Sequence, residues 1–175
     1  EKQVKDAFYS SPKPSKGHER RDLTDTPLIT IDGQATLDYD DALSLEMVDG
    51  FYRLGIHISD VAHFVKKDDP IDREASARGS SIYTPDRKIP MLPPSLAEGL
   101  CSLRAEELRP AISILVKLTP SAEIMDYEIV ASWIKVKRQL TYYDVNMVAE
   151  EDKEVQALGN IARKFRQRRL SQGAL

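Results

Sequence analysis

The run Thr30-Ile31-Asp32-Gly33-Gln34-Ala35-Thr36-Leu37-Asp38-Tyr39-Asp40-Asp41-Ala42 limits this chain more than any other stretch. It places four carboxylates within ten positions, directly after a short apolar segment. Four like charges gathered by a fold repel one another and need a counter-charge. In a flat strand Asp40 and Asp41 would point to opposite faces, so the four can converge only where the segment turns. Gly33, just after Asp32, is expected to give the backbone that freedom. Carboxylate oxygen without sulfur or imidazole suits magnesium or manganese better than zinc. Two divalent ions would balance four carboxylates, the charge pattern of a two-metal phosphodiester site. An acidic surface turn with aspartates as caps is the plainer alternative. A calcium loop is a third, but Gly33 comes too early for the EF-hand spacing. Spacing alone leaves these readings open.

The segments around this run read as strands first and helices late. Residues 28–31, 42–48 and 52–58 have strand character, and Asp49-Gly50 between the last two is a hairpin signal. Asp69 is a plausible N-cap with Pro70 in the first helical position, and Gly79 would end that helix. Residues 80–94, with four prolines, read as irregular, followed by a short helix stopping at Gly99. Residues 111–118 and 128–137 alternate as strands joined by a turn at 120–123, and from Tyr142 to Leu170 the spacing turns helical. Neighbouring strands with late helices predict an α+β fold with a mainly antiparallel sheet and flanking helices. Residues 1–22, polar and rich in Pro, Ser and Lys, read as a linker or leader, and 23–175 as the domain.

A chain of 175 residues suffices for one domain, and 41% hydrophobic with 30% charged residues fits a soluble globular one. No stretch is apolar for long enough to span a bilayer, and the start shows neither a signal region nor an initiator Met. The chain is therefore read as a portion of a longer protein. Cys101 is the single cysteine, which excludes disulfide frameworks and cysteine zinc sites within one chain and makes the cytoplasm the default compartment. The net charge of −3 argues mildly against nucleic-acid binding. Its distribution says more: acids gather between Asp22 and Asp72, while Arg163, Lys164, Arg166, Arg168 and Arg169 crowd the C-terminal end. An acidic centre with basic ends fits a metal site working on a polyanion, although ordinary solvated faces are the plainer reading of the charge.

Several long stretches, in order, resemble the N-terminal half of the RNB catalytic domain of the ribonuclease II/R family. They are DLTDTPLITIDGQATLDYDDALSLE, YRLGIHISDVAHFV, IDREASARGSSIYTPDRKIPMLPPSLAEGLCSLR, RQLTYYDV and the ending RRLSQGAL. The resemblance implies a processive 3′-to-5′ exoribonuclease that hydrolyses single-stranded RNA to nucleoside 5′-monophosphates. It implies that Asp32, Asp38, Asp40 and Asp41 hold catalytic Mg2+, with Mn2+ able to substitute. It implies that Tyr83 stacks on RNA bases and that Tyr142, chosen by register over Tyr143, lies near the scissile phosphate. The family's catalytic domain continues past Leu175, with a further arginine and glutamate, and is flanked by cold-shock and S1 domains. The 175 residues alone are thus expected to bind metal weakly and not to degrade RNA. The alternatives are a non-catalytic RNA-binding RNB-like module and a metal-dependent phosphatase or DNA nuclease built on similar acids.

Other residues invite functional readings that their surroundings oppose. His57, Asp60 and His63 form H-x-x-D-x-x-H, a conceivable metal triad, but the apolar residues between them favour structural roles for both histidines, with Asp60 as a turn or cap residue near the site. Cys101, between Leu100 and Leu103, reads as a small buried side chain rather than a nucleophile. Trp133 reads as core, and the basic cluster at 163–169 as a solvated helix face.

Overall fold

Among the described residues eight strands form, the longer ones on apolar alternation and β-branched residues, and one of them organises the rest. The computed structural model describes residues 20–148 and 151–174. The strands are β1 (Arg21–Asp22), β2 (Leu28–Asp32), β3 (Asp41–Val48), β4 (Phe51–Ser59), β5 (Ile82–Tyr83), β6 (Lys88–Ile89), β7 (Leu108–Leu118) and β8 (Ile124–Thr141). The helices are α1 (Pro70–Arg78), α2 (Tyr142–Val148) and α3 (Lys153–Ser171), with a 3-10 turn at Val61–His63 and a π-type turn at Ser95–Leu100. The main sheet runs β1-β8-β2-β3-β4-β7, and β7 also pairs with β8, so β2, β3, β4, β7 and β8 close into a ring. The 18-residue β8 makes both seams: its first part pairs antiparallel with β7, and Val136–Thr141 pair parallel with β2. The fold is α+β; the pairings β2–β3, β3–β4, β4–β7 and β7–β8 are antiparallel, and those of β1 and β2 with β8 are parallel.

A helix cannot fit inside so small a ring, so the face covered by α3 is the outer one. There Val155, Leu158 and Ile161 pack on Ile29, Leu54, Val116 and Leu118. The interior is filled by Leu28, Ala42, Ala111, Ile134 and Val136 and by a polar ladder. His57, fully buried, lies 3.0 Å from Ser44 Oγ through Nε2 and 2.7 Å from Ser113 Oγ through Nδ1; Ser132 Oγ follows 2.6 Å from Ser113 Oγ. Every polar ring atom of His57 thus has a partner, as a buried group requires. Gly55 stands opposite Ser44, where a Cβ would collide with Ser44 Oγ and His57 Nε2. No helix among the described residues is long and apolar enough to cross a membrane.

The local signals appear where they were expected. Asp49 and Gly50, with φ of 51° and 79°, form the hairpin turn between β3 and β4. Asp69 caps α1 by accepting from the N–H groups of Ile71 and Asp72, and Gly79 ends it with φ 73°. The differences have long-range causes. β7 and β8 exceed the alternating segments, because β8 has partners along one edge or the other over nearly its whole length and so stays extended through the polar residues 137–139, with Lys137 at a register shift. The helical span from Tyr142 is two helices, since Asp152 starts a new one by accepting from Glu154 and Val155 N–H. The irregular stretch 80–94 holds the two-stranded hairpin β5–β6. Of the segment read as leader, 1–19 lie outside the described residues, while Arg21–Asp22 pair with Ser132–Trp133.

Candidate metal centre

The loop 33–40 returns the chain from β2 to β3, so Asp32, the last residue of β2, and Asp41, the first of β3, reach the same end of the ring. Gly33 does not take a positive φ; the turn closes instead by an ordinary Thr36 N–H to Gly33 carbonyl bond of 3.1 Å. The rest of the loop is pinned from a segment more than sixty positions away. The fully buried Ser102 hydroxyl accepts from Tyr39 N–H at 3.1 Å and donates to the Leu37 carbonyl at 2.8 Å. Leu103 N–H donates to the Tyr39 carbonyl and Ser59 N–H to the Asp40 carbonyl, both at 2.9 Å. Asp38, Asp40 and Asp41 thus hang from a backbone held on both sides.

The β5–β6 hairpin closes over this loop. Tyr83 and Lys88 are a cross-strand pair, and both reach Asp38 Oδ2: the Tyr83 hydroxyl donates at 3.3 Å and the Lys88 ammonium at 2.5 Å. Between hairpin and loop lies an open cleft of about 780 Å³, and a second of about 330 Å³ is lined by Asp38, Asp40, Tyr83 and Cys101. Tyr83 therefore walls both. With 68% of its surface exposed it is no core residue. Tyr142 follows Thr141, which pairs with Asp32, and is also exposed. Thr141 and Asp144 cap α2 reciprocally: the Asp144 carboxylate accepts from Thr141 N–H at 2.8 Å and the Thr141 hydroxyl from Asp144 N–H at 3.1 Å. This cap sets Tyr142 and Tyr143 on the first turn.

The acids feel one another. Burial and then the charges of Asp41, Asp40 and Asp38 push Asp32 above the usual carboxylate range. Asp40 is raised too, by displacement of water from its carboxylate and then by Asp38 and Asp41, although the residue as a whole is exposed. Burial would raise Asp38 as well, but the Lys88 ammonium, a backbone N–H and the Tyr83 hydroxyl hold it low. Among the described residues no three acids, histidines or cysteines converge as they would around a bound cation. The donor set nevertheless fits a hard divalent cation: all oxygen, mutually repelling, with an ammonium already serving as counter-ion on one member.

The remaining sequence candidates stay apart from the site chemistry. His57 points into the ring, where burial lowers its pKa to about 4, so it is a neutral structural group. His63 packs edge-on against Trp133, with ring centroids 5.5 Å apart. Asp60 is the residue before the 3-10 turn, its carbonyl accepting from His63 N–H at 3.1 Å, but its side chain makes no capping bond and instead forms an ion pair with Arg20, whose guanidinium lies 5.5 Å over the Trp133 ring. H-x-x-D-x-x-H is thus not a ligand set. Cys101 is buried and its thiol is pushed up to about 12 by burial, which makes it a poor nucleophile. Arg163, Arg166, Arg168 and Arg169 lie on an exposed face of α3. Residues that sequence reasoning missed are Lys88, which neutralises Asp38, and Ser102, which pins the loop. A serine inside the apolar run Leu100–Leu103 was the one available hint.

A strand ring with an acid loop at one end defines a class of domain, and comparison identifies it. The family model described as RNB domain matches residues 20–175, and the chain belongs to that family. Ribonuclease R of Chlamydia trachomatis serovar D is 42% identical over 135 residues, covering 77% of this chain and 20% of the relative. The chain thus spans about a fifth of the length of that curated relative. The structure of Mycoplasma genitalium RNase R in complex with ribose methylated single-stranded RNA superposes with a TM-score of 0.88 at 26% identity, over 98% of this chain and 29% of that one. Yeast Ssd1, described as a pseudonuclease, has a TM-score of 0.79 at 23% identity over 87% of this chain and 20% of its own, a likeness of fold alone.

Proposed function

We propose that this chain carries the acid half of the active site of a hydrolytic exoribonuclease. The substrate is single-stranded RNA, degraded processively from the 3′ end to nucleoside 5′-monophosphates in the cytoplasm. Magnesium is the cofactor, and manganese substitutes. The observation that supports this reading is an acid loop joined through Asp38 to an exposed aromatic side chain. Membership of the RNB domain family agrees with it, as does the RNA bound to the Mycoplasma genitalium relative.

In this reading Asp32, Asp38, Asp40 and Asp41 hold the divalent cations. When bound, magnesium supplies positive charge to the scissile phosphate and eases deprotonation of the attacking water. Tyr83 offers its face to a base, a contact worth roughly 1–3 kcal/mol and indifferent to sequence, as processive digestion requires. Tyr142 directs its hydroxyl at the scissile phosphate beside Asp32. The chain alone binds metal weakly and does not degrade RNA. Stabilising the phosphate from its other side needs a cation such as the family's further arginine, and alignment of the strand needs a closed channel.

The test uses a full-length protein carrying this domain and a labelled RNA with a 3′ extension. Asp40→Asn removes charge but little volume, so RNA binding survives and cleavage falls by several orders of magnitude. Activity requires magnesium or manganese and is not restored by zinc. Near-normal turnover of Asp40→Asn, or full activity in EDTA, would refute the reading. The other reading is an RNA-binding RNB-like module without hydrolysis. It predicts tight RNA binding and no monophosphate release with any metal.

A further inference from the structure

The acid loop meets its own cation. Lys88 Nζ stands 2.5 Å from Asp38 Oδ2, 3.6 Å from Glu98 Oε1 and 5.4 Å from the centroid of the Tyr83 ring. Asp32, Asp40 and Asp41 have no side-chain hydrogen bond or ion pair among the described residues, so one acid of four has a direct counter-charge, and Lys88 acts on Asp40 only through space. The Lys88 and Asp38 side chains are 23% and 20% exposed, which sets their pair between a solvated surface contact and a buried one. The arrangement is also specific: Lys88 faces Tyr83 across the two-residue strands β5 and β6, and both side chains converge on one oxygen.

We propose that Lys88 is a positioning residue that competes with divalent metal for Asp38. The proposal rests on the metal-site reading given above. Without metal the ammonium offsets part of the loop's repulsion and anchors the β5–β6 hairpin to it. A divalent cation brings twice the charge to a carboxylate that Lys88 must give up, and the flexible four-carbon stem lets the ammonium move. Glu98 and the Tyr83 ring keep it close by. Because Tyr83 donates to the same Asp38 oxygen, release of Oδ2 also frees the tyrosine hydroxyl. Metal loading and the hydrogen bonding of the Tyr83 hydroxyl are thus coupled through one carboxylate.

The experiment titrates manganese into the metal-free 175-residue chain, reading free Mn2+ by electron paramagnetic resonance and folding by circular dichroism. Lys88→Met removes the competing cation, and affinity for manganese rises by about fivefold, the factor expected when a partly exposed ion pair no longer has to be broken. Lys88→Gln behaves likewise, which keeps the test valid where the apolar replacement disturbs the hairpin. Lys88→Arg restores wild-type affinity. The melting temperature of Lys88→Met falls in EDTA and recovers in manganese, a recovery that a purely structural role does not produce. The gain in affinity disappears on an Asp38→Asn background. Unchanged or weaker affinity in folded Lys88→Met and Lys88→Gln overturns the proposal while wild-type binding leaves the metal site standing. A gain of equal size on Asp38→Asn also overturns it, since Lys88 would then repel metal from a distance. Absence of manganese binding by every folded form overturns the metal-site reading and this proposal with it.

Discussion

Ser102→Ala tests whether the acid loop is held in place from behind. The Ser102 hydroxyl is fully buried and has two loop partners, the Tyr39 N–H at 3.1 Å and the Leu37 carbonyl at 2.8 Å. Each such hydrogen bond contributes about 0.5–1.5 kcal/mol net, so the pair contributes about 1–3 kcal/mol. Leu37 is 52% exposed, and water can reach the freed carbonyl, so the expected loss lies in the lower half of that range. The urea midpoint should drop accordingly with the slope unchanged, because no additional surface is exposed. The larger effect falls on chemistry. Leu103 N–H, Ser59 N–H and the Asp38 contacts with Lys88 and Tyr83 remain, but the buried anchor behind residues 37–39 is lost; the loop can shift, and a misplacement of about 1 Å costs about 100-fold in rate. The assay is turnover of a 3′-extended RNA by the full-length protein, beside manganese affinity of the chain. If stability drops as expected while turnover and manganese affinity stay within about twofold of wild type, the reasoning fails. Ser102 would then be an ordinary core hydroxyl, and the loop would be held by main-chain bonds.

Gly55→Ala places a Cβ against Ser44 Oγ and His57 Nε2 and should destabilise the fold by about 1–3 kcal/mol as over-packing does, read from the urea midpoint; a neutral effect would mean that the ring interior has spare room. His57 titrates near 4 in the folded chain against an ordinary 6.5, so between those values the unfolded chain binds more protons. Its contribution is therefore complete above pH 6.5 and is lost as the pH falls towards 4, a change on the order of 3 kcal/mol. The difference between wild type and His57→Asn, measured by urea unfolding from pH 7.5 to 4.5, should follow that slope, and a pH-independent difference would contradict it. Tyr83→Ala should lengthen the limit product of poly(A) digestion more than it slows cutting, since one stack of roughly 1–3 kcal/mol is lost; an unaltered product ladder would remove Tyr83 from the RNA path.

What the sequence determined by itself was local. The Asp49-Gly50 turn and the Asp69 cap with its closing Gly79 both depend on residues a few positions apart, and local backbone preferences act at that range. The four acids were legible for the same reason: Asp32 to Asp41 are neighbours, and their mutual repulsion needs no fold to be foreseen. Tertiary structure decided which of them carries a counter-charge. Lys88 is 50 positions from Asp38, and the pair exists because the β5–β6 hairpin closes over the loop. Ser102 lies 63 positions from Tyr39, and nothing in either neighbourhood announces the bond. The apparent triad of His57, Asp60 and His63 was undone in the same way: His57 turns into a ring of small side chains, while Asp60 and His63 meet Arg20 and Trp133. Closure of that ring rests on β8 pairing with β7 through one part of its length and with β2 through the other. Such pairing is set by register between distant segments and by which faces can be buried together, and only the assembled chain satisfies both conditions at once.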